Sequence, residues 1–289
     1  MKLGDKIGIV CCSNGQAVSN REKLEKLHLV IMNEIGLIPE WSSCIYEKDS
    51  VFSGSAKERA DNLMKFYMDD GIKAIFDISG GDIANEILPY LDFAVIAETD
   101  KMLWGYSDLT TILNAVFTKT GKESVLYQLR NVVREDAKNQ ITHFRNTLLN
   151  GKKSLFEFQY TFIQGKRMQG TVVGGNIRCL LKLAGTEYWP NMNEKILLLE
   201  AYSGGVPQMV TYLNQLKQMG VFEQISGILL GTFTQMEEEN GISKIEDLVK
   251  KYAGNDIPIA CTPEIGHGAD SKGVVIGKEY LLAMESNIY

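Results

Sequence analysis

Histidine is scarce in this chain, and the residue patterns that mark several common classes of enzyme are missing. The 289 residues include three histidines and five cysteines. There is no His-Glu-x-x-His motif and no Cys-x-x-Cys pair, the usual sequence signs of a zinc site. No phosphate loop ending in Gly-Lys-Ser/Thr occurs, and no Gly-x-Gly-x-x-Gly follows the first predicted strand. The sequence therefore predicts neither a metal site nor a cofactor.

Excess positive charge and long apolar segments are also missing. A formal net charge of −6 and a pI near 5.3 argue against nucleic acid or an anionic membrane as the main partner. The apolar run at residues 7–12 is too short for a signal-peptide core, and no other segment is long enough to cross a bilayer. The five cysteines do not form a disulfide framework and suit a reducing compartment. We therefore expect a cytoplasmic location.

The first half of the chain alternates short apolar runs with helical patterns. Strands are predicted at residues 6–11, 37–41, 73–78, 93–97 and 101–104. Helices are predicted at residues 21–35, 55–68 and 108–120, and a further short helix ends at residue 91. This alternation predicts an α/β fold in which helices cover both faces of a mostly parallel sheet. Ligands bind at the carboxyl ends of the strands in such sheets. Residues that follow predicted strands are therefore the first candidates for a site.

The pattern changes after about residue 151, where aromatic residues alternate at 155–162. Strands are predicted at residues 196–199, 225–230 and 257–261, helices at 177–183 and 206–219, and a glycine-rich segment near the end. We expect two domains, one of residues 1–165 and one of residues 166–289. No internal repeat or low-complexity tract is present.

Among the histidines, His267 has the surroundings of a catalytic base. It lies between Gly266 and Gly268, after the predicted strand at 257–261. Glycines allow unusual backbone dihedrals and leave the imidazole open to a ligand. A histidine in an ordinary turn is the alternative, and the local sequence does not decide between the two. The other histidines lie in helical patterns, where a surface position is the simpler interpretation.

Ser107 is the candidate nucleophile. It follows the strand predicted at 101–104 and opens a helix, a turn at which a serine is exposed and negative charge is favoured. The backbone N–H of Asp108 could then point at a developing oxyanion. Leu109 stands where the elbow of α/β-hydrolases has its second glycine. A serine before a helix is usually just an N-cap, and the local sequence favours that role. Three cysteines are rival nucleophiles, but they lie in predicted buried strands: Cys11, Cys12 and Cys261.

Two further features follow predicted strands. Gly80 and Gly81 could bring a second backbone N–H to the same point, although a glycine pair also makes an ordinary tight turn. Glu200 follows a run of aliphatic residues and could orient His267, although a solvated strand end is the alternative. Acidic neighbours of the histidine in sequence are weaker candidates, because triad members usually come from separate loops. One shared site explains these strand-end positions, together with Ser107, better than unrelated turns do.

The set resembles the LD-carboxypeptidase family of serine peptidases, including its branch similar to the microcin C self-immunity peptidases. The matching stretches, in order, are Ser79-Gly80-Gly81-Asp82, residues 88–92, Gly105-Tyr106-Ser107-Asp108, Gly174-Gly175-Asn176, residues 185–186, residues 197–200 and Ile265-Gly266-His267-Gly268. Each stretch is short, but they occur in the family's order and span nearly the whole chain.

The resemblance implies an N-terminal α/β domain, similar to class I glutamine amidotransferases, that carries the nucleophile. A C-terminal α/β domain rich in β structure then supplies the acid and the base. The resemblance implies that Ser107 attacks the substrate carbonyl, that His267 acts as general base and then acid, and that Glu200 orients His267. It also implies an oxyanion hole formed by the backbone N–H groups of Gly81 and Asp108.

The resemblance further implies a cytoplasmic homodimer that uses no metal or cofactor and acts on small peptides or peptide conjugates. The typical substrate is a murein tetrapeptide, which loses its terminal D-alanine when the L,D-bond is cleaved. Two alternatives stay open: an amidase of peptidyl or aminoacyl nucleotides, as in microcin immunity, and a module that binds small peptides without cleaving them.

Substrate contacts are predicted at Gly80, Asp82, Asn176 and Trp189. Trp189 could stack on a ring of the substrate, or simply pack before Pro190. Segments 201–205 and 273–277 depart from the family pattern beside the expected groove, so the sequence leaves the substrate open.

Overall fold

The computed structural model describes residues 1–284 and has two six-stranded sheets flanked by helices, which confirms the predicted α/β class. The strands in chain order are β1 (Lys6–Val10), β2 (Ile38–Trp41), β3 (Ile72–Asp77), β4 (Leu103–Gly105), β5 (Ser124–Leu126), β6 (Thr161–Gln164), β7 (Arg167–Asn176), β8 (Lys195–Ala201), β9 (Gly227–Phe233), β10 (Ile259–Cys261), β11 (Val274–Ile276) and β12 (Glu279–Ala283).

The helices lie between these strands. In chain order the α-helices are α1 (Arg21–Leu29), α2 (Ala56–Met68), α3 (Phe93–Ala97), α4 (Thr110–Thr120), α5 (Ala137–Asn150), α6 (Ile177–Leu181), α7 (Val206–Gln218), α8 (Thr234–Asn240) and α9 (Ile242–Ala253). Helix α1 continues as a π-helical turn at Val30–Ile35, and short 3₁₀ helices lie at Val18–Asn20, Ala84–Tyr90, Ser107–Leu109 and Leu129–Val133.

The first sheet has the strand order β11-β5-β4-β3-β1-β2. Its strands pair in parallel except for β11, which joins β5 in the antiparallel sense. Because β11 comes from the last part of the chain, the segment at 273–277 forms one edge of the first sheet.

The second sheet has the order β12-β7-β8-β9-β10-β6. Strands β7 to β10 are parallel, and the two edge strands are antiparallel to their neighbours. The central strand β8 is apolar and buried along nearly its whole length, which explains its run of leucines.

The stretch Gly174-Gly175 joins the two halves of the molecule. Asn114 of α4 exchanges two hydrogen bonds with the backbone of Gly174, at 2.9 and 2.8 Å. A side chain at Gly175 would meet the hydroxyl oxygen of Thr110 at 2.7 Å. The glycines therefore let β7 approach the helix that follows Ser107, and they set the position of the second sheet against it.

Most predicted helices and strands are confirmed, but residues 93–97 form helix α3 and the strand predicted there is wrong. The side chain of Asp92 accepts hydrogen bonds from the N–H groups of Ala94 and Val95, at 3.0 and 3.1 Å, and so caps the helix. A short apolar run cannot be assigned by periodicity alone, and here the cap decides. Helices α8 and α9, which lie between β9 and β10, were not predicted.

Within the described part of the chain, no helix is both long and apolar enough to cross a membrane. The domain boundary at residues 165/166, the homodimer and the cytoplasmic location stay predictions.

Candidate active site

Ser107 lies on a strained turn between β4 and α4. Its φ is +57°, a left-handed value that non-glycine residues rarely adopt. A side chain at Gly105 would meet Leu109 at 2.8 Å, so the chain can fold back at this point only because residue 105 is glycine. Leu109 itself is fully buried. The turn thus presents the serine at the carboxyl end of β4 without the second glycine of the usual elbow.

His267 and Glu200 meet at the facing edge of the second sheet. The imidazole Nδ1 lies 2.9 Å from Oε2 of Glu200, whose side chain is completely buried. The distance is that of a hydrogen bond, although the ring nitrogen is not aligned well enough with the oxygen to meet the angular criterion. Glu200 is the penultimate residue of the buried strand β8, so its carboxylate is held at a fixed place beside the histidine.

Two tyrosines surround the imidazole. The hydroxyl of Tyr106 donates to Oε2 of Glu200 at 2.9 Å, and its ring packs edge-on against His267 with the centroids 4.7 Å apart. Burial, and then the neighbouring Glu200 carboxylate, hold the pKa of Tyr106 well above its usual value, so the phenol stays protonated and can donate. The ring of Tyr202 also packs against the imidazole, with the two ring centroids 4.9 Å apart.

The loop that carries His267 is held by side chains from both halves of the chain. The hydroxyl of Ser271 lies 2.7 and 2.8 Å from the carbonyl oxygens of Gly266 and Gly268, and Arg134 donates to the carbonyl of His267 at 3.0 Å. A side chain at Gly266 would come within 1.7 Å of the hydroxyl oxygen of Thr232. This glycine is therefore required by close packing against β9, which the sequence alone did not indicate.

Ser107 and His267 line one cavity of about 630 Å³, together with Gly80 and Tyr202. No hydrogen bond joins Ser107 to His267 in residues 1–284. Catalytic hydrogen bonds are often long before substrate binds. The structure therefore brings the predicted nucleophile and base to the same space without pairing them.

The glycine turn after β3 packs against the loop after β1. Gly81 has a φ of +122°, and a side chain there would overlap Asn14, whose backbone N–H donates to the carbonyl of Gly80 at 3.1 Å. Among the described residues, the backbone N–H groups of Gly81 and Asp108 find no acceptor. Both donors are therefore available to a bound ligand.

The carboxylate of Asp108 has a separate role that the sequence did not indicate. It is fully buried and accepts hydrogen bonds from the Ser13 hydroxyl at 2.6 Å, the Ala84 N–H at 2.8 Å and the Lys182 ammonium at 2.5 Å. These partners come from the loop after β1, the 3₁₀ helix after Gly81 and the residue that follows helix α6. Asp108 thus ties the serine turn to the glycine turn and to the second half of the chain.

Three residues predicted to contact substrate lie outside the cavity lining. Asp82 is exposed and forms an ion pair with Arg178. The side chain of Asn176 accepts from the N–H of Cys179 at 3.3 Å and caps helix α6. Trp189 is half-buried and packs against the apolar cores on both sides of the second sheet. Gly80 does line the cavity. The predicted substrate contacts of these residues stay predictions.

The three candidate cysteine nucleophiles are held as neutral thiols. Burial raises the pKa of Cys11 and of Cys12 well above the usual value, and both side chains are almost completely buried. Burial also raises the pKa of Cys261 to about 12. A thiolate is the reactive form of cysteine, so the structure favours Ser107 over the cysteines.

Tyr106, Tyr202 and Arg134 were not predicted from the sequence as parts of the site. Tyr106 sits inside the stretch that predicted Ser107, and its position next to a candidate nucleophile was the available signal. Tyr202 lies in the 201–205 segment that departs from the family pattern. Arg134 lies in a surface loop, far in sequence from the histidine whose carbonyl it binds, and nothing in the sequence links the two.

Comparison with known proteins shows which family the two halves of the chain match. A family model described as the LD-carboxypeptidase N-terminal domain matches residues 7–127, and one described as the LD-carboxypeptidase C-terminal domain matches residues 169–282. The probable murein peptide carboxypeptidase of Bacillus subtilis (strain 168) is 27% identical over 295 residues, covering 96% of this chain and 88% of that protein.

Two solved structures have the same fold. A protein like MccF, the microcin C7 self-immunity protein, from Bacillus anthracis str. Ames has a TM-score of 0.85 and 25% identity, and the match covers 99% of this chain and 96% of that one. The muramoyltetrapeptide carboxypeptidase from Oxalobacter formigenes has a TM-score of 0.80 and 20% identity, with 97% and 96% covered.

Proposed function

The chain belongs to the LD-carboxypeptidase family of serine carboxypeptidases, and from this premise we propose that it cleaves the L,D-bond before the terminal residue of a murein tetrapeptide. The observation that carries the proposal is the shared cavity, in which Ser107 on its strained turn faces the space occupied by His267. The relative in Bacillus subtilis named a probable murein peptide carboxypeptidase supports the choice of substrate.

In the first half of the proposed reaction, Oγ of Ser107 attacks the carbonyl carbon of the scissile amide. Nδ1 of His267 faces Glu200, so Nε2 is the nitrogen that takes the hydroxyl proton. The buried carboxylate of Glu200 stabilises the imidazolium that forms. The protonated imidazole then donates to the departing amine, which leaves as the free terminal amino acid, and the rest of the peptide stays bound to Ser107 as an ester.

The negative charge on the carbonyl oxygen is stabilised by the backbone N–H groups of Gly81 and Asp108. Support for this comes from their lack of other acceptors in the described residues and from the packing that holds both turns in place. Donors already aimed at the developing charge lower the barrier without reorganisation during the reaction.

In the second half of the reaction, a water molecule replaces the amine. His267 removes a proton from the water, the oxygen attacks the ester carbon, and the proton returns to Oγ of Ser107 as the shortened peptide leaves. No group other than these side chains and water is needed for the atoms and charges to balance.

The test is hydrolysis of a murein tetrapeptide by the wild-type protein and by Ser107→Ala, with release of D-alanine as the readout. We expect the substitution to remove turnover and to leave the melting temperature nearly unchanged. Labelling by a serine-reactive phosphonate adds a second measurement. If the folded protein formed no adduct on Ser107, the chain would be a peptide-binding module, and equal turnover by both proteins would remove Ser107 from the mechanism.

A second candidate substrate is an aminoacyl or peptidyl nucleotide. The observation that favours it is the match to the MccF-like structure, which has a TM-score of 0.85 and 25% identity over 99% of this chain. Comparing kcat/KM for the murein tetrapeptide with that for an aminoacyl sulfamoyl adenosine separates the two. A higher value for the nucleotide analogue would make this chain an amidase of the immunity type.

A further inference from the structure

The cavity that Ser107 and His267 share is basic, although the chain as a whole carries a net charge of −6. The basic side chains of the lining are Lys23, Lys26, Arg130 and Arg134, and its acidic residue is Glu135. The fold therefore gathers positive charge beside the proposed nucleophile. Such a lining attracts an anionic group of a substrate.

Arg130 differs from the other basic residues of the lining. The lysines and Arg134 are exposed, whereas Arg130 is half-buried and desolvation lowers its pKa. Within residues 1–284 its guanidinium has no carboxylate in ion-pair range, and its side chain makes one hydrogen bond, to the amide oxygen of Gln16 at 3.3 Å. A guanidinium has five N–H donors, so most of its donor capacity is unused.

Arg130 is also held on a rigid support next to the histidine loop. It lies in the 3₁₀ helix after β5, where its own N–H donates to the side chain of Gln128 at 3.2 Å. The next residue, Asn131, reaches the carbonyl of Gly268 at 3.4 Å. The element that carries Arg130 therefore contacts the loop that carries His267, and the guanidinium is held in a defined relation to the reacting groups.

We propose that Arg130 binds the free carboxylate of the substrate's terminal residue, the residue that the reaction releases. The inference rests on the proposed role of Ser107 as nucleophile. A planar guanidinium binds a carboxylate through two parallel hydrogen bonds, and a partly desolvated charge without a partner is stabilised when such a group arrives. A peptide continuing past this point would present a neutral amide there, so Arg130 restricts cleavage to the last residue.

The test compares two substrates, a murein tetrapeptide with a free C-terminal carboxylate and the same peptide with a C-terminal carboxamide. For Arg130→Gln we expect kcat/KM to fall roughly 10- to 100-fold for the acid and to change little for the amide. Arg130→Lys keeps the positive charge but loses the two parallel N–H donors of the guanidinium. We expect this variant to keep more activity on the acid than Arg130→Gln does. Lys26→Gln removes an exposed charge of the same lining and should leave the ratio of acid to amide unchanged.

Binding to Ser107→Ala, measured by calorimetry, separates this inference from the proposed reaction. We expect the acid peptide to bind more tightly than the amide, and the added Arg130→Gln change to remove the difference. The inference would be overturned if Arg130→Gln weakened the binding of both peptides equally, or if Ser107→Ala alone showed no preference for the acid. Either result would leave the role of Ser107 intact. If the acid bound preferentially but the wild-type protein did not hydrolyse the tetrapeptide, carboxylate binding by Arg130 would be supported and the proposed reaction would be overturned. A melting temperature at least as high as that of wild type shows that Arg130→Gln is folded.

Discussion

The two sides of the active site are built in different ways. On the first sheet, Ser107 is placed by its own backbone, through a left-handed dihedral, a required Gly105 and a buried Asp108 that ties the surrounding turns together. On the second sheet, His267 lies six residues beyond β10 on a loop, and its position depends on contacts to other elements.

This difference follows from what each residue does in the proposed reaction. A nucleophile and the adjoining oxyanion donor need a fixed geometry, which a strained turn locked by a buried ionic network provides. The base passes a proton between several partners, and its hydrogen bonds tighten when substrate binds. A rigid nucleophile beside a base held by contacts across the two sheets satisfies both needs.

The prediction with the largest expected effect tests whether His267 depends on the buried carboxylate of Glu200. Glu200→Gln keeps the size of the side chain and an oxygen for the Tyr106 hydroxyl, but it cannot stabilise an imidazolium. We expect kcat for tetrapeptide hydrolysis to fall about 10³- to 10⁴-fold with little change in the melting temperature. A decrease of less than about tenfold would mean that Glu200 does not orient the base.

The next effect concerns stability on the nucleophile side. Asp108→Asn leaves the proposed oxyanion N–H in place but removes the carboxylate that pairs with Lys182. We expect the free energy of unfolding in urea to fall by about 3 kcal/mol, because the ammonium of Lys182 loses its buried partner. Asp82→Asn is the matched control, since that carboxylate is exposed and its loss should cost less than about 1 kcal/mol. Similar losses in both variants would refute the view that the buried network locks the serine turn.

The smallest expected effect tests the packing of the histidine loop. Gly266→Ala puts a methyl group against the hydroxyl of Thr232, and we expect it to lower the free energy of unfolding by about 1–3 kcal/mol. Gly80→Ala is the control on the other side of the cavity, because a side chain there meets nothing within 4 Å. If both variants unfolded at the same urea concentration as wild type, close packing would not be what holds the loop.

The strand-end pattern in the sequence led to Ser107 on the first sheet and to Glu200 and His267 on the second, because ligand sites gather at the carboxyl ends of parallel strands. The same reasoning failed at residues 93–97, where a capping bond from Asp92 decides the structure of a run too short to show a period. For Asp108 only the backbone N–H was predicted to act, because no local pattern indicates that its carboxylate binds Ser13, Ala84 and Lys182.

The sequence by itself determined the class of fold, the order of the short stretches that mark the family, and the three side chains proposed for the reaction. These depend on local periodicity, on glycine at turns and on residue chemistry, all of which act over a few positions. Only the tertiary structure decided that Tyr106 donates to Glu200 and that Arg130, in the same cavity as Ser107, has no carboxylate within ion-pair distance among residues 1–284. Such relations arise when residues far apart in the chain are buried together, where distance and desolvation, which no local pattern records, set their charge and their partners.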